Sequence, residues 1–186
     1  MFEDYVEETV RLADREVALL RPPSADELID EDAFDEDEFL PYWAELWPSG
    51  LALARTVAEL ELDGLRVLEL GAGLGLPSLA AALRGADVLA TDWADDAVAL
   101  LRENAARNGL ALEAIHADWR SFDGTYDLAL AADVLYEARN VGPLAELLPR
   151  LAPSALVGLA GRRHESEFLR LVETERVAER VVRIGA

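Results

Sequence analysis

The segment from residue 67 to residue 75 reads Val67-Leu68-Glu69-Leu70-Gly71-Ala72-Gly73-Leu74-Gly75, an apolar strand that runs into a glycine-rich loop. The glycines let the backbone turn sharply and approach a ligand where any Cβ would clash. Residues Pro77 to Leu83 then predict a helix behind the loop. A strand, a glycine loop and a helix in this order indicate a nucleotide-type cofactor, although the loop alone is also compatible with a tight turn that binds nothing.

The details of this loop favour one kind of cofactor. A dinucleotide fingerprint requires G-x-G-x-x-G, and here Gly71 and Gly73 fit while Leu76 occupies the third glycine position. Glu69 lies two residues before the first glycine, where a carboxylate suits a ligand with an ammonium group and would repel a pyrophosphate. The loop therefore indicates S-adenosylmethionine, and an NAD-linked enzyme is kept as a rival hypothesis.

Length and composition favour a single globular domain. The chain has 186 residues, of which 52% are hydrophobic, so it can bury a substantial core. No apolar run approaches the roughly 20 residues that a membrane span requires. The start, Met1-Phe2-Glu3-Asp4, lacks the features of a signal peptide, and there are no cysteines. We therefore expect a cytoplasmic protein that does not bind membranes.

The charge of the chain bears on its partners. A formal net charge of -20 argues against nucleic acid, because binding to a phosphate backbone draws on basic patches. Nine of the thirteen residues from Asp26 to Glu38 are acidic. Such a run is typical of a solvated loop, but it could also attract a basic protein substrate.

The spacing of apolar residues predicts an α/β fold. A helical stripe from Phe2 to Leu20 and the acidic loop precede the core, and a second helix is predicted from about Gly50 to Leu62. Strands and helices then alternate, which predicts a Rossmann-like, doubly wound and mostly parallel sheet with helices on both faces and ligands at the strands' carboxyl ends. The predicted strands are Arg66 to Leu70, Asp87 to Thr91, Leu112 to His116, Asp127 to Ala132 and Ala155 to Ala160, and the helices are Pro77 to Arg84, Ala94 to Asn108 and Val141 to Leu151.

Two acids follow predicted strands where a nucleoside would bind. Asp92 closes the strand in Thr91-Asp92-Trp93, and its carboxylate could accept from both ribose hydroxyls or, alternatively, cap the next helix. In His116-Ala117-Asp118-Trp119, Asp118 could accept from the adenine amine while Trp119 covers the ring or joins the core. His116 has no second ligand at metal-binding spacing, so we predict no metal.

A third acid follows the fourth predicted strand of the alternating region. The segment Ala132-Asp133-Val134-Leu135-Tyr136 places a carboxylate and a phenol at the carboxyl end of an apolar strand. This is the expected reaction centre of a doubly wound sheet, although Asp133 could also be a structural cap.

Together these segments resemble the seven-β-strand protein lysine methyltransferases. The resemblance rests on Pro41-Tyr42-Trp43-Ala44-Glu45-Leu46-Trp47-Pro48-Ser49-Gly50, Glu69 to Gly75, Asp92, Asp118-Trp119 and Asp133 to Tyr136. The tryptophan and proline segment is most similar to the electron transfer flavoprotein β-subunit lysine methyltransferases and their bacterial relatives. The likeness covers about Pro41 to Arg162, and its glycine loop is common to most class I methyltransferases.

The resemblance implies a role for each site residue. Glu69, Gly71 and Gly73 would line the methionine part of S-adenosylmethionine, Asp92 would hold the ribose with Trp93 beside it, and Asp118 and Trp119 would frame the adenine. Trp47 would close the methionine side. Asp133 and Tyr136 would face the acceptor amine as the catalytic pair. The implied activity is N-methylation of a protein lysine, with a small-molecule amine methyltransferase and a non-catalytic S-adenosylmethionine-binding module as alternatives.

The end of the chain departs from the family pattern. Arg162 to Thr174 predicts a helix and Val177 to Ile184 one last strand, so the family's final strand pair is predicted to be shortened. The acceptor site would then be open or completed by a second subunit. Arg162, Arg163 and His164 could touch substrate, but surface charges are the simpler interpretation.

Overall fold

The structure is a computed structural model that describes residues 2–25 and 41–185. The acidic segment between Asp26 and Glu38 lies outside the described residues. The strands are β1 Val6–Leu12, β2 Arg15–Arg21, β3 Arg66–Leu70, β4 Asp87–Asp92, β5 Glu113–His116, β6 Leu128–Ala132, β7 Ser154–Gly158, β8 Thr174–Ala178 and β9 Val181–Gly185. The α-helices are α1 Pro48–Val57, α2 Leu76–Leu83, α3 Asp95–Arg107, α4 Val141–Leu151 and α5 Glu165–Leu171.

Seven of these strands form one mostly parallel sheet in the order β5-β4-β3-β6-β7-β9-β8. Strands β3 to β7 pair in parallel, whereas β9 is antiparallel to both β7 and β8. The chain runs outward from β3 through β4 to β5 and then returns to β6 on the other side. The predicted fold class is confirmed. The order of the strands reverses between the paired strands β3 and β6, and such sheets bind ligands at the carboxyl ends of the strands at this point.

Helices cover both faces of this sheet. On one face, α1, α2 and α3 contribute buried residues such as Leu53, Leu79 and Leu100 to a first apolar cluster. On the other face, α4 and α5 contribute Leu144 and Phe168 to a second cluster. Because the central strands are buried on both sides, β6 consists entirely of apolar residues, and the charged residues of β3 are limited to Arg66 at its start and Glu69. None of the helices in the described parts of the chain is long and apolar enough to cross a membrane.

The turn between β3 and α2 requires a glycine at its end. Gly75 adopts the left-handed conformation, with φ of 74°, immediately before the first residue of α2. A Cβ at this position would collide with the side chain of Leu101 in α3. The helix therefore begins close to the carboxyl end of β3, with Pro77 in its first turn. The backbone N–H groups of the first turn have no partner within a helix, so a proline there removes no helical hydrogen bond.

The predicted N-terminal helix is wrong, because the segment forms an antiparallel hairpin of β1 and β2. The buried residues Val10, Leu12, Val17 and Leu19 follow the alternating period of strands. Ala13 makes the turn with φ of 51°, a conformation unusual for a residue other than glycine. The apolar residues Val10 and Val17 also fit the spacing of a helix. The sequence pattern therefore predicted a helix where the structure has two strands.

The hairpin packs on α3 through two asparagine side chains one helical turn apart. Asn104 accepts a hydrogen bond from the Leu20 amide at 2.7 Å and donates one to the Leu20 carbonyl at 3.0 Å. Asn108 pairs with the amide and carbonyl of Ala18 at 2.9 and 2.8 Å. The two side chains thus satisfy the edge of β2 as a neighbouring strand would.

The prediction of one last strand from Val177 to Ile184 is also wrong, because two strands are present. The segment predicted as one strand contains a break at Glu179 and Arg180, so β8 ends at Ala178 and β9 begins at Val181. Strand β9 pairs along its full length with β7, and β8 forms the edge of the sheet. The seven-stranded sheet is therefore complete within this chain, and helix α5 lies inside the predicted helical span from Arg162 to Thr174.

Candidate active site

A cavity of about 610 Å³ opens at the carboxyl ends of the central strands. It is lined by nine of the ten residues that the sequence selected as site residues, together with other residues from the same loops. The nine are Trp47, Glu69, Gly71, Gly73, Asp92, Trp93, Trp119, Asp133 and Tyr136. Asp118 is not among the lining residues. The topology therefore brings together groups that lie far apart in the sequence.

Glu69 forms the floor of the cavity below the glycine loop. Only 1% of this residue is exposed, and its Oε2 accepts hydrogen bonds from the amide and the hydroxyl of Ser78. Burial raises the pKa of the Glu69 carboxyl to about 8, although the bonds from Ser78 act in the opposite direction. Within the described residues no group donates a hydrogen bond to Oε1 of Glu69, so this oxygen can accept a hydrogen bond from a ligand.

Asp92 connects the end of β4 to the glycine loop. Its Oδ2 accepts from the Gly73 amide at 2.7 Å, and its Oδ1 accepts from the Ala94 amide at 2.9 Å. Burial raises the pKa of the Asp92 carboxyl. Ala94 and not Asp92 occupies the cap position of α3. The Asp92 carboxylate therefore holds the glycine loop against the end of β4. Its alternative role as the cap of α3 is not supported.

The two tryptophans on this side of the cavity differ in exposure. Trp93 is 51% exposed and meets the edge of the His116 ring, with centroids 5.6 Å apart, whereas Trp119 is only 9% exposed. Nδ1 of His116 lies 2.9 Å from a carboxylate oxygen of Asp95. Among the described residues, no three histidine, cysteine or acidic side chains are grouped as metal ligands would be.

Asp118 is paired with a neighbouring arginine. Its Oδ1 and Oδ2 each accept from Arg120 at 2.9 Å, and this pairing lowers the pKa of the Asp118 carboxyl. The same side chain caps the short 3-10 helix Trp119–Ser121. Because its hydrogen bonds go to Arg120, the proposed contact of Asp118 with adenine stays a prediction without support from this arrangement.

Another part of the cavity lining is organised by an ion pair between Asp133 and Arg162. Two parallel hydrogen bonds of 2.7 Å join Nε and Nη2 of Arg162 to the two oxygens of Asp133. The Asp133 side chain is only 6% exposed, and the guanidinium carbon of Arg162 lies 4.7 Å from the centre of the Trp47 ring. This pairing raises the pKa of Arg162 further above its ordinary value.

Of the two interpretations of Arg162 that the sequence left open, the preferred one was a surface charge, but the residue lines the cavity. Ala132 and Gly158 are partners in the register of the neighbouring strands β6 and β7. Asp133 and Arg162 follow the ends of these strands, so a charged residue after β7 could have been expected near Asp133. The parallel pairing of these two strands is the signal that could have located Arg162 beside Asp133, because parallel strands end at the same edge of the sheet.

Three aromatic rings form a wall beside this ion pair. The Tyr42 ring lies 5.5 Å from that of Tyr136 and 6.3 Å from that of Trp47. Nε1 of Trp47 donates to the Tyr42 carbonyl at 2.8 Å, which fixes the indole just before α1. Burial raises the pKa of the Tyr136 hydroxyl. Tyr42 was quoted in the sequence motif without a role, and it belongs to this wall.

Solved structures with the same architecture include methyltransferases that hold S-adenosylmethionine. The 16S rRNA N2 G1207 methyltransferase RsmC of T. thermophilus aligns with a TM-score of 0.67 at 20% identity, over 97% of this chain and 50% of that chain. The magnesium protoporphyrin IX methyltransferase ChlM of Synechocystis aligns with a TM-score of 0.64 at 18% identity, over 87% of this chain and 97% of that chain. At these identities the likeness establishes the class of fold and no more.

Sequence comparison narrows the class to a family. The profile described as "Lysine methyltransferase" matches residues 34–175, which is more than half of the chain. This chain therefore belongs to the lysine methyltransferase family, as the resemblance in the sequence predicted.

Individual relatives match over only part of their length. The electron transfer flavoprotein beta subunit lysine methyltransferase of Xenopus laevis is 35% identical over 132 residues, 66% of this chain and 53% of the relative. Protein N-lysine methyltransferase METTL21A of Danio rerio is 33% identical over 128 residues, 62% of this chain and 58% of the relative. The ribosomal protein L11 methyltransferase of Pseudomonas putida (strain GB-1) is 37% identical over 106 residues, 54% of this chain and 35% of the relative.

Proposed function

We propose that this chain is an S-adenosylmethionine-dependent N-methyltransferase that methylates a lysine side chain of a protein. The observation that carries the proposal is one cavity lined by two chemically different groups of residues, which we call its two ends. One end holds the glycine loop with Glu69 and Asp92, and the other holds Asp133 beside three aromatic rings. Membership of the lysine methyltransferase family supports the same function.

The residues of the first end fit S-adenosylmethionine. A volume of about 610 Å³ lies within the roughly 300 to 1,000 Å³ typical of small-molecule sites. The free Oε1 of Glu69 suits the ammonium of the methionine part. Each oxygen of Asp92 accepts one backbone hydrogen bond, which leaves a lone pair on each oxygen for a ribose hydroxyl. Trp93 and Trp119 would then lie beside the adenine.

The residues of the second end fit an acceptor amine. Bound S-adenosylmethionine supplies a methyl group on a positively charged sulfur. A lysine amine has an ordinary pKa of about 10.4 and is therefore protonated at neutral pH, without a lone pair for attack. Once the Arg162 guanidinium releases it, Asp133 would orient the ammonium by a charge-assisted hydrogen bond. The aromatic wall of Trp47, Tyr42 and Tyr136 would lower the pKa of the ammonium by desolvation.

The reaction balances without any further reactant. A bond forms between the lysine nitrogen and the methyl carbon while the bond between that carbon and sulfur breaks, which leaves S-adenosylhomocysteine. The amine proton leaves to water or to Asp133. The role of the protein is to align the nitrogen with the methyl group and to exclude water, as expected for a displacement that depends on orientation.

A labelling experiment tests this proposal. Labelled S-adenosylmethionine and the purified protein are added to an extract of a host that lacks the gene, and the label is located by mass spectrometry. Label on a lysine side chain supports the proposal, whereas label only in small metabolites indicates a small-molecule amine methyltransferase. Binding of S-adenosylmethionine without formation of S-adenosylhomocysteine indicates a non-catalytic module. A cytoplasmic location, favoured by the absence of cysteines, is part of the same proposal.

A further inference from the structure

The segment from Asp133 to Tyr136, which follows β6, begins with an unusual backbone conformation. Asp133 has φ of 55°, in the left-handed region that residues other than glycine rarely adopt. Among the residues that the structure describes, Ala13 in the hairpin turn is the one other case. A conformation of this kind persists only where the surrounding structure holds it. The contacts that support this segment therefore determine where the Asp133 carboxylate lies.

One of these contacts is given up when an acceptor binds. Arg162 holds the Asp133 carboxylate through two hydrogen bonds of 2.7 Å. Under the proposed function, the Arg162 guanidinium releases this carboxylate to the acceptor ammonium. Asp133 must therefore be kept in place during methyl transfer by contacts other than its ion pair.

Two hydrogen bonds among the described residues hold the backbone of the segment independently of Arg162. The Asp133 amide donates to the Gly158 carbonyl at 3.2 Å, which is at the long end of the normal range. Nδ2 of Asn140 donates to the Val134 carbonyl at 3.0 Å, and this bond is buried. The second bond comes from a side chain, so a substitution can remove it.

The side chain of Asn140 serves this segment and not its own helix. Asn140 occupies the cap position immediately before α4, where an asparagine side chain usually accepts a hydrogen bond from the first helical turn. Here the side chain makes no capping hydrogen bond, and only 5% of the residue is exposed. Helix α4 is itself anchored in the second apolar cluster by buried residues such as Leu144. Asn140 therefore ties the segment to a rigid element of the fold.

The side chain of Val134 is held by a different element. A Cβ at Gly71 would lie 2.9 Å from a methyl carbon of Val134, so this valine packs directly against the glycine loop. Val134 is 4% exposed. Its side chain is thus fixed by the glycine loop and its carbonyl by Asn140. The residue that follows Asp133 is therefore held on two sides, and neither contact involves Arg162.

We infer that Asn140 is a positioning residue for methyl transfer, which keeps the Asp133 carboxylate in place while Arg162 moves away. This inference rests on the proposed function and deepens it by assigning the support of the group that orients the acceptor amine. Asn140 does not line the cavity, so it acts through the Val134 carbonyl and touches no ligand. Because the displacement depends on orientation, a shift of Asp133 lowers the rate and leaves cofactor binding intact.

Asn140→Ala tests the inference, with Asn104→Ala as the matched control. Both asparagines are buried and donate a 3.0 Å hydrogen bond to a backbone carbonyl, but Asn104 binds Leu20, and neither of these two residues lines the cavity. The substrate is a synthetic peptide that spans the lysine labelled in the host extract. We expect Asn140→Ala to lower kcat about tenfold, with KM and the affinity for S-adenosylmethionine within a factor of about two. Folded Asn104→Ala should keep the wild-type kcat. A wild-type kcat in folded Asn140→Ala would overturn the inference.

A double-mutant cycle with Asp133→Asn separates positioning from a general loss of structure. If Asn140 acts by placing the Asp133 carboxylate, its removal should lower kcat by only about two- to threefold when that carboxylate is already absent. The same tenfold loss in both backgrounds would mean that Asn140 does not act through Asp133, and would refute the assignment.

Hydrogen exchange measured by mass spectrometry gives a readout that does not depend on turnover. With S-adenosylhomocysteine bound, the amides of residues 133–136 should exchange faster in Asn140→Ala than in the wild type, and at the wild-type rate in Asn104→Ala. Unchanged exchange in Asn140→Ala would refute its support of the segment, whether or not the protein is active.

Failure of the proposed function gives a different result. A wild-type protein that forms no S-adenosylhomocysteine with any lysine acceptor is not the proposed enzyme, and the role of Asn140 in methyl transfer fails with it. An active wild type whose kcat is unaffected by Asn140→Ala refutes only the role of Asn140 and leaves the proposed function standing.

Discussion

The two ends of the large cavity are built from different kinds of interaction. At the end that we propose binds the cofactor, called the cofactor end, Asp92 is held by backbone amides at 2.7 and 2.9 Å, and Glu69 is bound by Ser78 in the first turn of α2. At the end that we propose binds the acceptor, called the acceptor end, the principal contacts are between side chains, from Asp133 to Arg162 and from Arg162 to Trp47. These three residues come from separate segments of the chain.

This difference implies that the two ends respond differently to a ligand. Backbone amides cannot leave Asp92 without unfolding the glycine loop, so the cofactor end is preorganised. Side-chain ion pairs can exchange partners with little change in the backbone, so the acceptor end can open for a lysine. Substitutions at one end should therefore change one step of the reaction and leave the other intact.

The largest effect is expected from Asp133→Asn. The amide cannot provide the negative charge that orients the ammonium, so kcat should fall roughly 100-fold or more. The affinity for S-adenosylmethionine, measured by calorimetry, should stay within a factor of about two, because the cofactor end is untouched. Asp123→Asn, an exposed residue that does not line the cavity, serves as the control. Full turnover in Asp133→Asn would refute the role of this carboxylate.

A smaller effect is expected at the other end from Asp92→Ala. Loss of the carboxylate removes the hydrogen-bond acceptor of the Gly73 amide and the proposed acceptors of the ribose hydroxyls. The affinity for S-adenosylmethionine should therefore fall roughly 30- to 100-fold, or about 2 to 3 kcal/mol. Asp95→Asn is the control, since this aspartate is exposed in the first turn of α3. An unchanged affinity in Asp92→Ala would show that the cofactor binds elsewhere.

The buried Glu69 predicts a pH dependence of stability. Its folded-state pKa of about 8 exceeds the ordinary value of 4.5, so without ligand the protein loses stability as pH rises from about 4.5 toward 8. Glu69→Gln removes this loss and should exceed the wild type in free energy of unfolding at pH 8 by on the order of 2 kcal/mol. Urea denaturation at pH 5 and pH 8 measures the difference in free energy of unfolding between Glu69→Gln and the wild type, which should be smaller at pH 5.

S-adenosylmethionine provides the control for this third prediction. Its ammonium favours the ionised form of Glu69, so saturating ligand should stabilise the wild type more than Glu69→Gln. A difference between the two proteins that does not vary with pH or ligand would mean that Glu69 has no altered protonation and no contact with the ammonium.

The smallest effect concerns a region outside both ends. Asn104→Ala leaves the Leu20 amide and carbonyl without their partners, and should reduce the free energy of unfolding by about 1 to 2 kcal/mol. The affinity for S-adenosylmethionine should be unchanged once the protein is folded, as calorimetry at low temperature can show. A large loss of affinity would mean that the hairpin of β1 and β2 supports the cavity.

Most of the sheet and most of the cavity lining could be predicted because the information is local. The parallel strands are short runs rich in apolar residues, and Glu69, Asp92 and Asp133 lie at or near the carboxyl ends of three of them. The N-terminal hairpin was missed because Val10 and Val17 fit both a helical and an alternating spacing. The last two strands were predicted as one because the turn between them, at Glu179 and Arg180, contains no glycine or proline to mark it.

The ion pair between Asp133 and Arg162 was missed for a different reason. It joins residues that are far apart in the sequence, and a single arginine among seventeen cations carries no local mark of burial. Only the pairing of β6 with β7 brings the two side chains together. The acceptor end is therefore the part of the site that required the structure.

A crystal structure of the protein with S-adenosylhomocysteine and a lysine peptide tests the central claim most directly. The account predicts that the lysine nitrogen lies about 3 Å from the Asp133 carboxylate, a normal hydrogen-bond distance, with Arg162 turned away from Asp133. S-adenosylhomocysteine should contact Glu69 and Asp92 at the other end. A complex in which Arg162 keeps both bonds to Asp133 while the lysine binds elsewhere would contradict the account.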